Sequence, residues 1–174
     1  GQISGSRYTQ MLAASFNSIK AANSNVIVIS GAPAPTGAEA IDPANIKNDD
    51  NFLAEMAAAG AANYMDCVGA HYNEGVVSPT VSSGDPRDNY PTRYFGTMLS
   101  RSGASFPGIP ICWTELGYLS GQDFNTAIPA GFAWAGDVTV DQHATWLAEA
   151  ASLSATSGRV RLMIVWNVNF PDLG

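Results

Sequence analysis

Four short apolar runs recur along this chain, at about residues 26–30, 67–72, 109–115 and 160–166, and each follows a segment with helical spacing. The first run, Val26-Ile27-Val28-Ile29, and the core of the last, Leu162-Met163-Ile164-Val165, are apolar at every position. A strand without polar alternation has to be covered on both faces, which is the situation of a parallel sheet flanked by helices.

The intervening segments fit that reading. Tyr8, Leu12, Phe16 and Ile19 share one helical face, and Asn23-Ser24-Asn25 ends it, because short polar side chains compete for the last backbone groups. Phe52, Met56 and Ala59 mark a second helix that fades at Gly60, and Tyr94, Met98 and Leu99 mark a third. Thr139 stands three residues before Gln142, a capping box that opens a fourth helix carrying Trp146, Leu147, Ala150 and Leu153 and ending at Gly158. Pro110 is tolerable at the start of the third strand. The order αβ-αβ-αβ-αβ predicts an α/β fold in which four parallel strands alternate with helices through right-handed crossovers, as one unit over residues 1–174.

Charge narrows the partners. Only 13% of the residues are charged and the net charge is −7. An acidic, lightly charged surface repels polyanions, which argues against nucleic acid and suits a neutral ligand such as a sugar. No apolar run reaches the roughly 20 residues that span a bilayer, so no membrane partner is expected. The two cysteines, Cys67 and Cys112, are too few for a disulfide scaffold and read as buried thiols. The two histidines, His71 and His143, are too few to suggest a metal enzyme, and His143 falls on a helix, toward solvent. No Gly-x-Ser-x-Gly elbow of a serine hydrolase occurs. No cofactor is called for.

In parallel α/β folds chemistry gathers at the carboxyl ends of the strands. Here those ends hold Ser30-Gly31, His71 to Glu74, Trp113 to Gly117, and Trp166-Asn167. Long loops rich in Gly, Pro and Asp follow at 74–91 and 119–137, and such loops are usually functional. Glu115 is the one carboxylate placed directly at a strand end after an apolar run, where an acid is costly without partners or a task. Trp113 and Trp166 stand at the ends of consecutive strands, and an indole face stacks on the apolar face of a pyranose.

These residues resemble a known family. Trp113-Thr114-Glu115-Leu116-Gly117-Tyr118 is similar to the seventh-strand nucleophile motif of the retaining (βα)8-barrel glycosidases, the superfamily of family 5 and family 39 enzymes. Val165-Trp166-Asn167 resembles its eighth strand, Gly69-Ala70-His71-Tyr72 its sixth and Val26 to Gly31 its fifth, in the manner of bacterial cellulase-family glycosyl hydrolases. The resemblance implies the C-terminal half of a (βα)8 TIM barrel, since 174 residues fall short of the roughly 250 of a complete one. The first four strands and the last helix would be absent.

The resemblance also implies hydrolysis of β-linked oligo- or polysaccharides by double displacement, outside the cell. Glu115 would be the nucleophile. Trp166 would lie under the sugar, with Trp113, His71, Tyr72 and Asn167 lining the site and Tyr72 reaching the nucleophile's carboxylate. The family separates its sixth-strand His and Tyr by one residue, whereas His71 and Tyr72 are adjacent. The family's acid/base, a Glu after an Asn on the fourth strand, has no counterpart. Asn73-Glu74 is the only Asn-Glu pair here and makes Glu74 the substitute candidate. The isolated chain is therefore expected to be inactive. The alternative is a non-catalytic carbohydrate-binding or scaffold half barrel. With His71 and Glu115 both facing the barrel axis, alternation puts Cys67 and Cys112 on opposite faces, as two free thiols. The open edges at 26–29 and 161–165 call for a partner, either the missing half or a second copy that makes a dimer.

Overall fold

The structure, a computed structural model, describes residues 3–123 and 127–166. It is mixed α/β, with a three-stranded parallel sheet alternating with helices. The elements are α1 (Gly5–Ala22), α2 (Asp49–Ala58), β1 (Val68–Gly75), α3 (Phe95–Gly103), β2 (Ile111–Tyr118), α4 (Val140–Thr156) and β3 (Val160–Val165). The strands pair in the order β1–β2–β3. By its internal contacts the chain divides into two compact units, Gly1–His71 with Ser100–Cys112 and Tyr72–Leu99 with Trp113–Gly174.

In the first unit α1 and α2 close over a core of Leu12, Val28, Leu53, Met56, Ala61, Met65, Val68 and Phe106. The helices meet at Gly5, where a Cβ would stand 2.4 Å from the Phe52 carbonyl oxygen. The ends follow from sequence. Ser4 caps α1 by accepting from Arg7 N–H, Asn23 stops it, and Gly60, at φ +80°, turns the chain out of α2.

The strand expected over 26–30 is reduced to one parallel bridge between Ile29 and Cys67. Side chains have taken the backbone groups a longer ladder needs. The Asp66 carboxylate accepts from Val28 N–H at 2.7 Å, and the Lys20 ammonium donates to the Val26 carbonyl at 2.7 Å while pairing with Asp66. What remains lies close against β1: a Cβ on Gly69 would stand 2.2 Å from Ser30 O.

Cys67 and Cys112 form a disulfide with their Cα atoms 5.8 Å apart, which corrects the expectation of two free thiols. Val68 N–H donates to Pro110 O at 2.9 Å, so the two cysteines stand at neighbouring strand starts. The expectation rested on regular alternation from His71 along β1 and from Glu115 along β2. That strand instead buries Ile111, Cys112 and Trp113 in succession, half-buries Thr114 and Glu115, then buries Leu116, Gly117 and Tyr118. The bridge joins Cys67 to Cys112 directly, so the premise that His71 and Glu115 face the same side of regularly alternating strands does not hold.

The second unit is held by a line of aromatic rings. Phe95 lies 5.6 Å from Trp113 and 5.9 Å from Tyr72, Tyr72 lies 5.8 Å from Tyr118, and Tyr118 lies 5.5 Å from Trp146. α4 begins with the Thr139–Gln142 capping box. Gly117 lets the backbones of β2 and the end of β3 approach, since a Cβ there would stand 1.8 Å from Trp166 O. Along β3, Leu162, Ile164 and Val165 stay exposed, and among the described residues no strand pairs with its far side. No described helix is long and apolar enough to cross a membrane.

Candidate functional site

The second unit gathers the polar groups of two strand ends. β1 runs three residues beyond the expected Tyr72, to Gly75, and so carries Asn73 and Glu74 as strand residues. Glu115 lies half-buried on β2 between buried Trp113 and Leu116. The Asn73 side-chain amide donates to Glu115 Oε2 at 2.8 Å. Burying part of a carboxylate is compensated when a fixed donor meets it, and this donor comes from β1.

Tyr72 does not take that place. It is 1% exposed, its hydroxyl donates to Arg93 O at 3.0 Å, and burial pushes the phenol well above its ordinary pKa. His71, one residue earlier, is half-buried. Trp113 is 0% exposed, so its ring offers no face on which a sugar could stack, and its role in the structure is packing against Phe95. Trp166 is different: it is 46% exposed at the end of β3, and its N–H donates to Leu116 O at 2.9 Å, beside Glu115 in sequence. Asn167 lies outside the described residues.

Glu74 is the counter-ion of an arginine cluster. Its carboxylate bonds Arg93 and lies 3.9 Å from Arg87, and its carbonyl accepts from Arg87. Each arginine is held by a second acid. Asp85 takes two bonds from the Arg87 guanidinium, at 3.0 and 2.7 Å, and Asp88 takes two from that of Arg93, both at 3.0 Å. The Arg93 fork holds the Asp88 carboxyl down at about 2. Arg87 also lies 4.5 Å over the Trp134 ring, and Ser78 donates to Glu149 on α4 at 2.7 Å. These bonds fasten the long segment after β1 to the strand end and to the segment before α4.

His143, expected toward solvent, is half-buried on α4, and that burial lowers its pKa. Among the described residues no group of three His, Cys, Asp or Glu side chains could hold a metal ion.

The sequence singles out Glu115, Glu74 and Trp166, whereas the bonds that Asn73, Arg87 and Arg93 make to Glu115 and Glu74 appear only in the structure. One signal for Asn73 was available: it directly precedes Glu74, in the Asn-Glu pair that the sequence singles out. No family model, curated protein or solved structure matches the chain.

Proposed function

We propose that this chain is part of a retaining glycoside hydrolase that acts on β-linked glycans, with Glu115 as its nucleophile. The observation that carries the reading is the half-buried Glu115 carboxylate in the second half of β2, which runs on to Tyr118, held by Asn73 at 2.8 Å. In the double-displacement reaction a Glu115 oxygen attacks the anomeric carbon and the bond to the leaving oxygen breaks. A separate acid protonates that oxygen, and water then hydrolyses the glycosyl ester. Trp166, with an exposed ring, supplies the platform. The disulfide supports a place outside the cytosol, where such bonds persist.

Glu74 is a poor substitute acid, because it is bonded to Arg93 and flanked by Arg87. The acid/base is assigned to the half of the barrel that precedes this one, and the exposed apolar edge at Leu162, Ile164 and Val165 is assigned to contact with that half or with a second copy. The same occupation of Glu74 favours the second reading, a carbohydrate-binding half barrel without chemistry. Hydrolysis of aryl β-glycosides by the longer protein separates the two. Glu115→Gln should lower turnover by orders of magnitude and leave the fold intact. Near-normal turnover in that variant removes Glu115 from the reaction.

A further inference from the structure

We infer that Asn73 is a positioning residue for Glu115, a proposal that rests on reading Glu115 as the nucleophile. Three features of the structure carry it. The Asn73 amide nitrogen donates to Glu115 Oε2 at 2.8 Å. Its amide oxygen, by contrast, is buried and has no hydrogen-bond partner among the described residues. An amide that leaves a buried acceptor unpaired to keep its donor on a carboxylate is held there for the donor, because unpaired buried polar atoms are costly and rare.

The surroundings then fix where that donor points. Glu74, the next residue, is clamped at its carboxylate by Arg93 and at its carbonyl by Arg87, and Asp85 and Asp88 hold both arginines in place. On the other side Tyr72 is locked by its hydroxyl bond to Arg93 O and by the rings of Phe95 and Tyr118. Asn73 therefore sits between two immobilised residues. The chemistry of the side chain suits the task. A carboxamide neither gains nor loses a proton in the working range, so it can orient a nucleophilic carboxylate without exchanging a proton with it. A phenol or imidazole in its place would add a titration of its own.

The test uses the 174-residue chain and two independent readouts. The first is the Asn73 side-chain amide signal in ¹⁵N–¹H spectra. Glu115→Gln removes the charged acceptor and should move that signal more than the other side-chain amides; an unmoved signal refutes the contact. The second is inactivation by 2-deoxy-2-fluoro-β-glycosyl fluorides, in which a Glu115 oxygen bonds the anomeric carbon and fluoride departs with the bonding pair, so no acid is needed. Asn73→Ala should slow the maximal inactivation rate by about 10²-fold with little change in the half-saturating concentration, the mark of lost orientation. Asn73→Asp, which sets a second carboxylate against Glu115, should be slower still, and circular dichroism should show both variants folded. If a variant does not fold, the amide signal in the Glu115→Gln chain still decides the contact. Equal rates in folded Asn73→Ala and the parent refute the positioning role. If the parent is not labelled while the amide signal responds to Glu115→Gln, the nucleophile reading fails, and with it the positioning role, although the contact stands.

Discussion

Replacing Cys67 and Cys112 by serine opens a covalent loop that spans 45 residues of sequence. Closing such a loop removes conformations from the unfolded chain, with an entropy of about −2.1 − 1.5R ln n cal/mol/K. For a loop of that length the change is roughly −13 cal/mol/K, or about 4 kcal/mol at 25 °C. Both sulfurs belong to residues that are 0% exposed, so the serines would also bring two hydroxyls into an apolar layer. Against a total stability of about 5–15 kcal/mol, that loss is large. The assay is urea unfolding followed by circular dichroism, for the parent, the reduced parent and the double serine variant. With a slope of about 2 kcal/mol/M, the midpoint should fall by about 2 M. Thiol titration of the unfolded, unreduced chain should find no thiols, and two after reduction. Two thiols before reduction, or superimposable unfolding curves with and without reductant, would refute the reasoning.

Gly117→Ala should destabilise the second unit by about 1–3 kcal/mol, read as a lower urea midpoint, because its Cβ would stand 1.8 Å from Trp166 O; an unchanged midpoint contradicts that close approach. Light scattering on the purified 174-residue chain should show self-association through the apolar edge at Leu162, Ile164 and Val165, and a stable monomer at high concentration would show that this edge needs no partner.

Much of the fold was legible because local chemistry and long-range packing agree. Thr139 and Gln142 predict the start of α4, Asn23 the end of α1 and Gly60 the end of α2, and all three stand where the structure has them. The run Val26–Ile29 misled because hydropathy is blind to competition for backbone groups. Its apolar side chains suggest a strand, while Lys20, six residues before Val26, and Asp66, distant in sequence, take the hydrogen bonds that would extend it. The disulfide was missed because the facing of Cys67 and Cys112 was counted by regular alternation from His71 and Glu115, on the premise that both face one side, and the bridge contradicts that premise.

In the site, a carboxylate after an apolar run singles out Glu115, but the strand expected to end there continues to Tyr118. Trp113 and Tyr72 look the same in sequence whether they line a cleft or fill a core, and the rings around them decide for the core. Asn73 was hidden by ending β1 too early, at Tyr72 instead of Gly75. Arg87 and Arg93 were hidden because their partners, Glu74, Asp85 and Asp88, meet only when the long segment folds back.

A Glu115 that is a nucleophile toward anomeric carbon can be trapped as its glycosyl ester. The direct measurement is intact mass followed by peptide mapping, after incubation with 2-deoxy-2-fluoro-β-glycosyl fluorides of several common hexoses and pentoses. One added glycosyl group is expected, on the peptide containing Trp113 to Tyr118 and localised to Glu115, and none in Glu115→Gln. A chain that stays unmodified by every reagent, or that carries the label on another residue, would contradict Glu115 as the nucleophile.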